Sequence, residues 1–374
     1  MVPVRDTTAA LQILSELSLA YSARHLISEA SVVPGFRCSD NTMDLLSRLS
    51  PQDLQDLRSL AMTNHVVIRS FAPLLDILLK IGQSEAAEWV AAAIQSEQAR
   101  IQHAIGFLSQ ICSTLETAGC PVVVIKSLDH WPDLGSDLDL YSDAHAAKLN
   151  EVMRLNFGAT LAERSWGDRL ANKWNFVVPG LPELVEVHAG RLGQTGEQTA
   201  VTQSLTQRTE SRHLAGGTFR VGAPEDRVVI STLQRMYRHF YIRLCDIVDN
   251  WRLLDAGLID FSYLYTLGTA AGLWDGIATY LNIISEYAAA FGHKTNIPAA
   301  VSESAKFGTG RVRFRRQFLR VPILPDSLAL YSTELKSLLL KGELRNSLRL
   351  TLLPGLAAAA AIEQKITGSD KGVW

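Results

Sequence analysis

The sequence predicts an α+β chain in which a small mixed sheet sits between helical regions. Three observations predict it. Apolar residues recur at helical spacing through 1–118. Short β-branched and alternating runs, bounded by Gly and Pro, follow in 119–222. Helical spacing then returns at Pro224 and persists through most of 223–374. These three stretches are the expected domains.

In the first stretch, Leu11, Ile13, Leu14 and Leu17 give an amphipathic helix over 7–31, ended by Pro34-Gly35. A second helical segment starts at Asp40 or Asn41. Ser50-Pro51 divides it, with Ser as N-cap and Pro at the first helical position. Residues 51–115 then read as almost wholly helical, with a break at Gly82-Gln83-Ser84. The last helix, 84–118, closes on Gly119.

The middle stretch opens on Val122-Val123-Val124-Ile125, a strand by length and β-branching. A polar connection runs from Lys126 to Gly135. Ser136-Asp137-Leu138-Asp139-Leu140-Tyr141 then alternates acidic with apolar residues. Ser142-Asp143 would cap a helix over 143–156. Residues 174–178 and 184–188 form a hairpin around Pro179-Gly180. Residues 190–212 read as loop plus a short helix, and 218–221 as an edge strand.

In the third stretch, Ala223-Pro224-Glu225-Asp226 starts helical structure running to 255, with Arg235, His239, Arg243, Asp246 and Asp249 on its polar face. Helices follow at 259–272, 274–291 and 325–340. Arg311, Arg313, Arg315, Arg316 and Arg320 crowd the segment 308–320. A solvated charged face is the default reading of that cluster, and phosphate or RNA binding the less favoured one; Val312, Phe314 and Phe318 interleave with it and suit an edge strand or a helix packed on the core. Residues 367–374 read as a loose tail.

Composition narrows the function classes. With 374 residues, 47% hydrophobic and 20% charged, the chain is globular and can bury a large core. A net charge of −2 offers no general attraction to nucleic acid. Cys38, Cys112, Cys120 and Cys245 contain no C-x-x-C pair, which argues against zinc. No stretch reaches membrane-spanning length; 350–362 is short and interrupted by Pro354 and Gly355. With no signal-type N-terminus, a cytoplasmic protein is the simplest expectation.

The chemistry concentrates at Asp137 and Asp139. Strand alternation puts both on one face. Adjacent carboxylates repel unless a cation sits between them, and a hard divalent ion is the usual one. An isolated Asp-x-Asp is ordinarily a solvated surface pair. Three neighbours weigh the other way: the apolar strand before it, Lys126 at that strand's end, and Glu186 within Leu184-Val185-Glu186-Val187-His188.

Residues 116–256 resemble the core of the polymerase-beta-like nucleotidyltransferase superfamily: a strand, a turn of small residues, a spacer, Asp-x-Asp on the next strand, and a third carboxylate on a later strand. Asp137 and Asp139 match the pair, and Glu186 the third carboxylate. Within that superfamily the chain is most similar to the bacterial uncharacterised nucleotidyltransferases, through Lys126-Ser127 after the first strand and Glu186-Val187-His188. The departure is the Lys-Ser turn, where Gly-Gly, Gly-Ser or Lys-Gly is expected. The resemblance implies a nucleotidyltransferase core and transfer of an NMP group from an NTP, such as ATP, to a hydroxyl of an unknown acceptor, with release of pyrophosphate. The acceptor would be a small molecule, a protein or RNA. Asp137, Asp139 and Glu186 would hold two Mg2+ ions, or Mn2+ in their place.

Other residues have two readings each. Lys126 and Ser127 suit phosphate oxygens, or a solvated strand end. Ser136 would bond phosphate or close the turn with Gly135. His188 shares a face with Glu186 and would orient a carboxylate, meet the acceptor, or serve as a structural histidine. The resembling family often has an aspartate in the helix that carries Asp246, but Arg243 stands three residues before it, and an ordinary helix-face ion pair is the stronger reading. The competing class is a non-catalytic nucleotide-binding or interaction scaffold that retains the fold.

Overall fold

A computed structural model describes residues 7–27, 38–214 and 216–352. The ends expected at Pro34-Gly35 and over 28–31, and the 367–374 tail, lie outside these residues, as does most of 350–362. No helix among the described residues is long and apolar enough to cross a membrane.

The protein is α+β. Seven strands form one mixed sheet: β1 Val123–Val124, β2 Asp137–Ser142, β3 Thr160–Leu161, β4 Lys173–Val177, β5 Leu184–Ala189, β6 Thr209–Leu214 and β7 Gly217–Gly222. Their order is β3-β4-β5-β2-β1-β7-β6. Strand β2 runs antiparallel to β1 and parallel to β5. The 174–178 and 184–188 hairpin exists, with β4 starting one residue earlier. Leu138, Leu140, Val185 and Val187 are buried in the main core. The opposite face of the same two strands is therefore free to carry the polar residues.

Helices precede and follow the sheet. Ser50 caps the helix Pro51–Thr63 in a reciprocal capping box with Asp53. The 51–115 helical run breaks once more than expected, at Asn64–Val66, where His65 has φ 52. Ser84–Thr117 ends on Gly119 in the left-handed conformation, φ 71.

Three local expectations change, and the arginine-rich segment takes one of the forms open to it. Ser142 does not cap the next helix. It ends β2 and donates its hydroxyl to the Pro121 carbonyl, so the helix begins at Ala146 with His145 as cap. The 218–221 strand is not at an edge. Strand β6 lies outside it, and its polar sequence shows no apolar alternation to betray it. The 224–255 helix is interrupted. Pro224–Thr232 continues as a π-helical turn, Leu233–His239, which stops at Phe240 with φ 54. Strand β8, Tyr241–Ile242, follows, and then the helix Leu244–Asp255. The arginine-rich segment is a hairpin, β9 Arg313–Arg315 and β10 Phe318–Arg320, added to β8.

Candidate active site

Parallel pairing of β2 and β5 sets the centre of the site, because Asp139 stands directly opposite Glu186. Asp137 lies one alternation back along β2. All three line a cavity of about 240 Å3, together with Lys126, Lys173, Arg235, Arg238 and Arg243. The carboxylates come from the sheet. The three arginines come from the π-helical turn and the start of the following helix. The interruption of the 224–255 helix is what turns that face over the sheet.

The turn after β1 is tightly built. Lys126 has φ 60, a left-handed conformation that favours glycine. Its ammonium contacts Oδ1 of Asp139. The Ser127 hydroxyl accepts from the Asp139 N–H at 2.7 Å and donates to the Asp137 carbonyl at 3.1 Å. That hydroxyl is therefore committed to holding β2 in place rather than to a phosphate. The Ser136 hydroxyl donates to Oδ2 of Asp137 at 3.1 Å. Arg100 holds the far end of the connection through the Leu134 and Gly135 carbonyls, at 3.0 and 3.3 Å.

Lys173 is a site residue that the motif does not single out. From β4 its ammonium lies 3.0 Å from Glu186 and 3.0 Å from Asp168. The alternation of Lys173 and Asn175 with Trp174 and Phe176 marks a polar face that points to it. Asp168 also faces Arg238 at 3.5 Å. Burial opposes ionisation of Glu186, but Lys173 foremost, with Lys126, His188 and Arg238, holds its pKa below the carboxylate range. Asp139 goes the other way. Burial raises it to about 7; Lys126 opposes the rise, and Glu186 and Asp137 add to it. Asp137 is also raised, by burial and then by Glu186.

His188 stands beside this pair. Ligand atoms of Asp139, Glu186 and His188 all lie within 4.8 Å of one another. Both ring nitrogens of His188 are buried without a hydrogen-bond partner, and burial, then Lys126 and Lys173, keeps its pKa well below the usual value. Two oxygen donors and a neutral imidazole that lacks a partner fit a divalent cation. The tight cluster thus contains His188 beside the two carboxylates, with Asp137 at its margin.

Asp246 lies away from this cavity. Its Oδ2 accepts from the Arg243 backbone N–H at 2.7 Å and pairs with Arg235 Nε at 2.6 Å. The expected Arg243 side-chain ion pair is replaced by Arg235, because Arg243 is the extended N-cap residue of the helix that carries Asp246, and the break at Phe240 folds Arg235 back onto it. Asp246 acts on the site by holding Arg235.

A second cluster, His130, Cys245 and Asp249, is satisfied internally. Asp249 bonds Arg69 at 2.6 Å and His130 Nδ1 at 2.5 Å, and Cys245 Sγ lies 3.9 Å from His130 Nε2.

No protein-family model matches the sequence, and no curated protein matches it. Among solved structures, the chain is similar to an antigenic nucleotidyltransferase-like protein from Paracoccidioides brasiliensis. The two share 15% identity, over 54% of this chain and 97% of that one, with a TM-score of 0.35.

Proposed function

We propose that the chain is a divalent-metal-dependent nucleotidyltransferase, moving an NMP group from an NTP to a hydroxyl of an acceptor. One observation carries the reading. A single cavity sets the carboxylates of Asp137, Asp139 and Glu186 on the sheet against Lys126, Arg235, Arg238 and Arg243 around it. Carboxylates alone would suit a cation, and the basic groups alone an anion. Together they suit a metal-bound polyphosphate.

Asp139 and Glu186, with Asp137 and His188 beside them, would hold the metal. When bound, magnesium or manganese supplies charge to the phosphates and acidity to the acceptor hydroxyl. The imidazole in the donor set favours manganese as an effective substitute. The acceptor oxygen bonds to the α-phosphorus, the α–β anhydride bond breaks, pyrophosphate leaves, and the hydroxyl proton is released to solvent. Lys126 and Arg238 would bind the phosphate chain. Lys173 keeps Glu186 ionised and aimed. Ser127 holds the turn, and Ser136 the Asp137 carboxylate. Arg235 is fixed by Asp246.

The second reading is a scaffold that binds nucleotide without turnover. It is favoured by the Lys126–Asp139 pair, in which a protein cation already compensates the carboxylate. Incubation with each labelled NTP, magnesium or manganese and a cell extract separates the two. Label transferred to an acceptor supports the enzyme. Nucleotide binding without transfer under every condition supports the scaffold.

A further inference from the structure

A larger cleft, about 590 Å3, adjoins the carboxylate cavity and shares His239 with it. The β9–β10 hairpin forms its wall, and Arg311, Arg313, Arg315, Arg316 and Arg320 all line it. Arg311 pairs with Asp326 at 2.7 Å. Among the described residues, none of the other four has a carboxylate partner. Arg313, Arg315 and Arg316 are exposed, so no folding contact accounts for their number. Burial lowers the pKa of Arg320; Tyr241 opposes the shift, and the neighbouring Arg316 and Arg315 add to it. Like charges crowded on one short hairpin repel, and an anion between them removes that cost.

The partition between the two spaces is also basic. The Tyr241 and Phe318 rings stack at 4.3 Å. Arg320 lies 5.1 Å from the Tyr241 ring on the cleft side, and Arg243, which lines the carboxylate cavity, lies 5.5 Å from it. Positive charge is thus continuous from the cleft to the carboxylates. Guanidinium forks match phosphate oxygens in pairs, which an ammonium does not.

We propose that this arginine cleft binds the phosphate groups of the acceptor, as a multiply phosphorylated chain whose hydroxyl reaches the carboxylates past His239. The acceptor role rests on the nucleotidyl-transfer reading, whereas the anion site does not. The phosphates would come from a small polyphosphate or from a single-stranded nucleic acid, and two probes distinguish these sources.

Binding of a short fluorescent single-stranded RNA and of inorganic tripolyphosphate is measured in chelator without nucleotide, at about 50 and about 200 mM salt. The proteins are the wild type, the triple variant Arg313→Ala/Arg315→Ala/Arg316→Ala, and a control of equal charge change, Lys80→Ala/Arg154→Ala/Lys336→Ala, whose residues are exposed and line neither cavity. The expected result is at least about a tenfold loss of affinity in the arginine variant at low salt. For RNA, its log–log salt slope also falls by about two, at about 0.7 for each phosphate no longer neutralised. The control should change neither. Loss for RNA alone identifies a phosphodiester chain, and loss for tripolyphosphate alone a small polyphosphate. Equal affinity of arginine variant and wild type for both probes overturns the proposal. So does an equal loss in the control, or no binding of either probe by the wild type. The melting shift caused by magnesium plus NTP is read in parallel. If that shift persists in the arginine variant while neither probe discriminates it from the wild type, the cleft proposal fails and nucleotide binding stands.

Discussion

The Lys126 ammonium rests on Asp139, the residue that faces Glu186 across the β2–β5 ladder. It comes from a backbone conformation, φ 60, that few side chains other than glycine adopt readily. The Ser127 hydroxyl bonds to the backbone on both sides of Leu138 and pins that conformation in place. The departure from a small-residue turn therefore has a visible consequence: a cation is delivered to the carboxylate.

That pair has a pH signature. Burial pushes the Asp139 carboxyl up from its ordinary 3.8 to about 7, with Lys126 opposing the rise. A raised carboxyl stabilises the fold through its proton at low pH, and that contribution is lost as pH climbs through about 7. The attraction between Lys126 and Asp139 exists only once Asp139 is ionised. Lys126→Met should therefore cost little at about pH 5.5 and about 1–3 kcal/mol at about pH 8.5. In an Asp139→Asn background the pH dependence of that cost should vanish. Urea unfolding of the four proteins at both pH values measures it, and a cost independent of pH would show that the pair is not coupled as the geometry requires.

Lys173 carries a heavier structural role. Its buried ammonium lies between Glu186 and Asp168, at 3.0 Å from each. Lys173→Met leaves two buried carboxylates facing one another with one shared cation gone. The expected loss is about 3–5 kcal/mol of stability, with partial recovery on adding Glu186→Gln. Equal stability of Lys173→Met and wild type in urea would mean that the cavity is wet enough to screen these charges.

The His130–Asp249 pair links the N-terminal helices to the C-terminal ones through Arg69. Burial opposes the charge on His130, but Cys245 and Asp249 raise its pKa well above the ordinary value. Asp249 is lowered: burial opposes this, and Arg69 and His130 prevail. A raised histidine contributes stability that is full below its unfolded pKa and is lost as pH rises through the folded one. A lowered carboxylate contributes stability that is present above its unfolded pKa and is lost as pH falls through the folded one. His130→Gln should thus destabilise most at about pH 6 and less toward about pH 9. Guanidinium unfolding across that range tests it; a deficit that grows with pH would reverse the assigned charge.

Much of this site was legible because it is local. Alternation alone aligned Asp137 with Asp139 and Glu186 with His188. The pairing of Asp139 with Glu186 was not, since the register of two parallel strands depends on the whole sheet. Arg235 and Asp246 read as members of one polar helix face, about three turns apart and so out of contact. Their actual ion pair arises because the chain leaves that helix at Phe240, a break marked by neither glycine nor proline. Strand β6 is not legible in the sequence for a related reason: Thr209–Leu214 is held through backbone pairing with β7 and not through buried side chains.

The carboxylate pair separates enzyme from scaffold. Asp137→Asn and Asp139→Asn preserve volume while removing charge. If transfer depends on a divalent ion held there, either change should lower the rate about a thousandfold or more. Folding should not suffer in chelator near neutral pH. Both carboxylates are pushed toward the neutral form, chiefly by burial and then by Glu186, with Asp137 adding to the push on Asp139, so an amide relieves more repulsion than it forfeits. The melting temperature of each variant should equal or slightly exceed that of the wild type. Magnesium plus NTP should then raise the wild-type melting temperature more than that of either variant. Label transfer and melting with and without metal and nucleotide, on all three proteins, give the decision. Equal nucleotide-dependent stabilisation with no transfer by any of them assigns a binding module. Unfolding of the variants in chelator would make Asp137 and Asp139 structural residues and remove the metal site.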